Sequence, residues 1–160
     1  MKKQILIALA LLTIAFSVSS QSYFGHAKVI VTKGFSMFEL NWLDFGTITA
    51  TAAGTVTLSP NATIITSGGV VSKGAVSPSI FSVVAMPNSS FVISLPLSCT
   101  LNSGTNQLYI TDFTSNLTNS VGLTDANGTA SVSIAGKLTI PANFVFGSYS
   151  GGFEVVANYQ

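Results

Sequence analysis

One local pattern recurs along most of the chain: a short stretch rich in Val, Ile, Thr and Phe, then a cluster of Gly, Pro, Asn or Ser, then another stretch. The stretches are residues 27–32, 55–58, 63–66, 80–86, 90–95, 107–114, 129–134 and 152–159, and the turn residues between them include Pro60-Asn61, Gly68-Gly69, Pro87-Asn88, Asn102-Ser103-Gly104 and Asn127-Gly128. β-Branched and aromatic side chains crowd a helix and suit a pleated strand. No segment beyond the first twenty residues carries a long helical period. Strands about 8–12 residues apart with turn chemistry between them predict an all-β, mostly antiparallel sandwich. Side chains alternate across a strand, so Phe91, Ile93 and Leu95 form one buried stripe opposite Ser90 and Ser94. Phe81, Val83 and Ala85 form a second. Asn127-Gly128 reads as a tight hairpin turn, because both residues accept positive φ.

The first twenty residues differ in kind. Lys2 and Lys3 precede an unbroken apolar run over 5–16 and then Ser17-Val18-Ser19-Ser20. A basic start, a short apolar centre and small residues at the cut are what the export machinery reads, so cleavage after Ser20 is expected. A spanning helix needs about 20 apolar residues, more than this run supplies. The expected organisation is a signal peptide at 1–20, an N-terminal extension or first strand at 21–33, and a sandwich at 34–160. The expected destination is the periplasm, then the cell surface or the medium, with no stable membrane span after cleavage. No Cys follows the cut, which argues against a lipid-modified N-terminus.

Beyond Ser20, Lys28, Lys33, Lys73 and Lys137 stand against Glu39, Asp44, Asp112, Asp125 and Glu154, so four minus five leaves a net charge of −1, and Arg is absent. A nucleic-acid partner is not expected, since four scattered Lys cannot build the basic stripe that displaces counterions from phosphates. A nearly neutral Ser, Thr, Asn and Gly surface has little self-repulsion and favours association. Cys99 is alone, which excludes an intramolecular disulfide, and its neighbours Leu97 and Leu101 suit a buried thiol acting as a small hydrophobe.

Catalytic, metal and cofactor chemistry find little support. His26 is the only histidine, and one imidazole makes neither a metal cage nor, without a nucleophile elbow, a triad. Asp125-Ala-Asn127-Gly128 has the opening of a calcium loop but lacks the later ligands and the closing Glu, so it is taken as a turn. Asp112 and Asp125 are not identifiable as a glycosidase pair. Trp42 is expected to pack in the core or at an edge rather than to serve as a sugar platform. No catalytic residue and no cofactor are expected, and the chain is not expected to be an enzyme.

The last stretch is the most informative. Gly147, Tyr149, Gly151, Phe153, Val155, Ala157 and Tyr159 share one face of an extended chain, with Gly152, Glu154, Val156 and Asn158 on the other. This end resembles the subunits of chaperone–usher pili, which close with an alternating strand, a penultimate Tyr and a Gly fourteen residues from the end. A second resemblance covers nearly the whole mature chain: Leu43-Asp-Phe45-Gly46-Thr-Ile48, Gly54-Thr-Val56-Thr-Leu58-Ser-Pro60, Gly68-Gly69-Val70, Phe81-Ser-Val83, Phe91-Val-Ile93-Ser-Leu95-Pro96 and Gly147-Ser-Tyr149-Ser-Gly151 look like the bacterial family catalogued as domain of unknown function 4402. The chain departs from the usual pilin pattern in having no disulfide pair.

The pilin resemblance implies an incomplete immunoglobulin-like sandwich. Its missing strand would come first from a periplasmic chaperone and then from the N-terminal extension of the next subunit, giving a fibre. An added strand covers an open edge with backbone hydrogen bonds and fills an apolar groove with alternate side chains. Residues 23–31 suit that role, with Tyr23, Gly25, Ala27, Val29 and Val31 on one face. The same alternation suits the first strand of a self-sufficient sandwich. The expected function is a pilin-like fibre or adhesion subunit that self-associates. The alternative is a monomeric extracellular binding module for a sugar or a protein.

Overall fold

The computed structural model describes residues 28–31 and 34–160, and it divides into two units, Met1–Val31 and Thr32–Gln160. In the first, Val29 and Val31 are exposed and belong to no strand. Tyr23, Gly25, Ala27, His26 and the expected signal peptide lie outside the described residues.

The second unit is built from ten strands: β1 (Ser36–Asn41), β2 (Thr47–Leu58), β3 (Ile64–Lys73), β4 (Ser79–Val84), β5 (Ser90–Ser94), β6 (Ser98–Ser103), β7 (Asn106–Ser115), β8 (Val121–Leu123), β9 (Thr129–Ile140) and β10 (Val156–Tyr159). Every pairing among them is antiparallel. The result is an all-β sandwich, as expected from the strand and turn pattern. Seven strands form one sheet and β10, β5 and β8 the other.

β9 organises the larger sheet. Its residues 129–134 pair with β4 and its residues 137–140 with β2. β7 pairs with residues 134–139 of the same strand. Residues 134 and 137–139 therefore have β7 on one edge and β4 or β2 on the other, so β4 and β2 follow one another along a single edge. The inner side chains make two apolar clusters. Val83, Phe91, Ile93, Val132 and Ile134 fill the space between β4–β9 and β5. Phe45, Val56, Leu58, Val70, Cys99, Leu108, Ile110 and Leu138 fill the space between β2–β3–β9 and β6–β7. The expected stripes are in place: Val83, Ala85, Phe91 and Ile93 are buried, and Ser94 is exposed.

Several local expectations need correction. Gly68-Gly69 is no turn. It lies inside β3 at a register shift opposite Ala50 to Gly54. Gly68 has a φ of 71°, and a Cβ there would stand 2.3 Å from the Ala53 carbonyl oxygen, so close backbone approach is what calls for glycine. Asn127-Gly128 does turn the chain, but β8 and β9 are not a hairpin. β8 pairs with β5, and β9 with β4, β2 and β7, so the turn carries the chain between sheets. Trp42 is not a core residue: it follows β1 in the loop to β2 and is 81% exposed, while its carbonyl accepts a hydrogen bond from Ser77 Oγ. Leu97, beside Cys99, is also exposed. β1, β6 and β8 are strands that the residue pattern did not announce.

Candidate functional site

The C-terminal segment follows the alternation read from its residues. Tyr149, Phe153, Val155 and Ala157 are half-buried, and Ser148, Ser150, Gly152, Glu154, Val156 and Asn158 are exposed. Tyr149 packs on the second apolar cluster, Val155 and Ala157 on the first, and Phe153 touches both. Along one edge the segment is held by the sandwich. Ser150 exchanges two backbone hydrogen bonds with Asn102 of β6, and β10 pairs with β5. Gly151 approaches β6 so closely that a Cβ would meet the Thr100 carbonyl oxygen at 2.2 Å. Gly147 and Gly151 are exposed, as is Tyr159, whose hydroxyl accepts the Met86 N–H.

Along the segment's other edge no strand is paired among the described residues, and the same is true of β1 beyond its pairing with β4. The two edges approach where the Phe35 and Tyr159 rings meet edge to face at 5.1 Å. A groove of about 830 Å³ lies between the β1–β2 region and residues 144–153. One wall is Glu39 of β1, Trp42 and Phe45 of the connection that follows and Ile48 at the start of β2, and the other is residues 144–153. Cys99, Leu101, Leu108, Ile110, Leu138 and Ile140 form the floor, and Phe81 and Phe153 face each other at one end with ring centres 6.4 Å apart.

The groove is apolar and carries little charge. Among the described residues, Glu39 and Asp44 are its only charged lining residues. Glu39 pairs with Phe81 in register, on the inner face of β1, and accepts a hydrogen bond from the buried Ser79 hydroxyl at 2.6 Å. Asp44 accepts the Gly46 N–H at 2.8 Å and bridges to Ser77, which shapes the loop. Cys99 Sγ lies 3.3 Å from the Gly152 carbonyl oxygen, and burial pushes its thiol above the usual range, away from the reactive thiolate. The chemistry this arrangement offers is therefore shape and apolar surface.

The described residues hold no cluster of three or more His, Cys, Asp or Glu side chains able to bind a metal. Asp125 spends its carboxylate on its own turn, accepting the Asn127 and Thr129 N–H groups and the Thr129 hydroxyl. Those bonds, chiefly with Thr129, hold its carboxyl below the usual carboxylate range. Asp112 instead pairs with Lys137 at 3.2 Å.

The family model described as Domain of unknown function (DUF4402) matches residues 35–159. The chain belongs to the DUF4402 family. The DUF4402 match runs from the residue before β1 to the end of β10 and contains every residue of the groove. It leaves 23–31, the segment singled out for its alternation, outside the family domain. No curated protein and no solved structure matches the chain.

The C-terminal wall of the groove was legible from alternation alone. The facing wall was not: Phe45 and Ile48 belong to the Leu43-Asp-Phe45-Gly46-Thr-Ile48 stretch that carries the family resemblance, and Trp42 directly precedes it, but nothing in their spacing marks them as groove residues. The floor residues read simply as core.

Proposed function

We propose that this chain is an exported bacterial structural subunit that completes its sandwich with a strand from a neighbouring copy and so builds a fibre. The observation that carries the reading is the groove of about 830 Å³ with an apolar floor, walled on one side by Glu39 and residues 42–48 and on the other by residues 144–153, which belong to no named strand. Unpaired edges and open apolar grooves are liabilities that proteins cover. A strand satisfies both needs together, since its backbone pairs with the edges and its alternate side chains enter the groove. Residues 23–31, outside the family domain, supply such a strand with Tyr23, Gly25, Ala27, Val29 and Val31 on one face. Exchange of one segment from head to tail does not close on itself, so the product is open-ended. A periplasmic chaperone is the proposed interim occupant, the cell surface the final location, and no catalytic step or cofactor is involved.

Deleting residues 21–32 tests the proposal. The mature chain is expected to form large assemblies by light scattering and electron microscopy, and the shortened chain to remain unassembled until a peptide of residues 21–33 is added and raises its unfolding temperature. A mature chain that never assembles, together with a shortened chain that unfolds at the same temperature with or without peptide, overturns it. The exposure of Trp42 and Phe146, 81% and 86%, favours a second reading as a monomeric binding module for a sugar or protein at the mouth of the groove. That reading requires a monomer whose ligand binding is lost in Trp42→Ala.

A further inference from the structure

A smaller cleft of about 290 Å³ adjoins the groove at the tip of the β6–β7 hairpin. Leu108, Phe144, Val145 and Tyr149 line both spaces and so stand between them. Thr105, Asn106, Gln107 and Asn143 line the cleft alone, which makes its rim polar where the groove is apolar. Local ties give the cleft its shape. Gly104 and Thr105 close the hairpin in a two-residue turn, with Gly104 at a φ of 58°. The chain that follows β9 packs on this hairpin: a Cβ on Gly147 would stand 2.6 Å from Ser103 Oγ, and Ser150 exchanges two backbone hydrogen bonds with Asn102. The Tyr149 hydroxyl donates to the Val145 carbonyl at 2.7 Å, and the Phe144 and Phe146 rings meet edge to face at 5.4 Å, which fixes the aromatic wall.

The rim keeps hydrogen-bonding capacity in hand. Gln107 is engaged at both ends, by the Tyr109 hydroxyl and by Asn102. Asn106 spends one amide hydrogen, in a long bond of 3.4 Å to the Ser103 carbonyl, and the side chains of Thr105 and Asn143 make no hydrogen bond among the described residues. Two amides and a hydroxyl offer donors and acceptors together. None of the lining residues is charged, so an ion held there would lose hydration without gaining a counter-charge. We propose that this cleft binds one neutral sugar ring. Sugar hydroxyls donate and accept alike, as the rim does, and the C–H face of the ring is apolar, as the wall of Phe144 and Tyr149 is. At about 290 Å³ the space stands at the lower end of the roughly 300–1,000 Å³ spanned by ligand pockets, which suits one ring rather than a chain of them. The assignment rests on neither reading of the groove, because the polar rim lies outside it and a strand filling the groove leaves that rim uncovered.

Saturation-transfer NMR on the mature chain tests the assignment, with glucose, galactose, mannose and N-acetylglucosamine as probes and glucuronate and glucosamine as charged controls. At least one neutral sugar is expected to bind, and the charged sugars are not. Asn143→Asp keeps the size and an acceptor but removes the donor. That change and Asn106→Ala are each expected to weaken binding about three- to tenfold, as the loss of one or two hydrogen bonds would. Asn143 is exposed, so its replacement is expected to leave the unfolding temperature unchanged. Trp42→Ala, and a saturating peptide of residues 21–33, are expected to leave sugar binding as it is. No binding of any of the four neutral sugars, equal binding of the charged ones, or binding that survives both amide changes overturns the assignment. Loss of binding in Trp42→Ala overturns it in favour of the mouth of the groove.

Discussion

The two apolar clusters are made from the same kinds of residue, yet they are covered differently. In the cluster around Phe91 the buried side chains are 0–2% exposed, because the β1–β4–β9 face and the β10–β5–β8 sheet cover it from both sides. In the other cluster Val56, Leu58 and Ala135 are as closed, at 0–1%, whereas Phe45, Cys99, Leu108, Ile110, Leu138 and Ile140 retain 3–6%, and all six line the groove. The difference lies in what covers each cluster. At the closed end, turns tie the sheets together: Ala85 donates to the Gly128 carbonyl, Asn88 to that of Asp125, and the buried Thr124 hydroxyl donates to the Met86 carbonyl and accepts the Ser89 N–H. At the other end the β1–β2 region and residues 144–153 face each other across the groove. One domain thus carries one cluster closed over by both sheets and one that lines a groove.

The largest expected effect breaks the cluster closed over by both sheets. Phe91→Ala should cost about 3–5 kcal/mol in denaturant unfolding, the range for emptying a fully packed aromatic site. Phe153→Ala removes a ring that the groove already leaves half-exposed and should cost about half as much. Equal losses would mean that the two clusters are equally packed. Gly122→Ala comes next, because a Cβ there would stand 2.1 Å from Phe91 Cζ and Phe91 has no room to retreat. The expected loss is about 1–3 kcal/mol, read as a fall in unfolding midpoint. The smallest effect concerns the tie at the closed end. The carboxyl of Asp125 has a lower pKa folded than unfolded, so its charge contributes stability above about pH 3.9, the unfolded value, and that contribution is lost as pH falls through the folded value. Asp125→Asn keeps a turn acceptor and removes the charge. The stability difference between wild type and variant should be constant near neutrality and vanish in acid, which unfolding at a series of pH values would reveal.

Legibility in the sequence followed burial. β4, β5, β7 and β9 were visible because each lies between neighbours and buries one face, which imprints alternation on the residues. β1 was not, since an edge strand that pairs on one side only has little to imprint; Phe38, Glu39, Leu40 and Asn41 are all exposed. β8 has three residues, too few for a period. β6 carries Asn102 and Ser103, which resemble turn residues and do in fact lead into the Gly104 turn to β7. Gly68-Gly69 misled because glycine serves a tight turn and a close strand crossing equally well.

The residues by themselves determined that the chain is all-β, which side chains of the central strands face inward, and that the odd-numbered positions from Tyr149 to Ala157 share one face. Those properties follow from a two-residue period and local turn chemistry, which act over a few neighbours in the chain. Only the tertiary structure decided that β4 and β2 share one edge of β9, that the turn at Asn127-Gly128 crosses between sheets, and that the β1–β2 region and residues 144–153 face each other across an apolar groove. Strand partners and the gaps between them depend on which distant edges meet, and hydrophobic alternation marks a face to be buried without naming what will cover it.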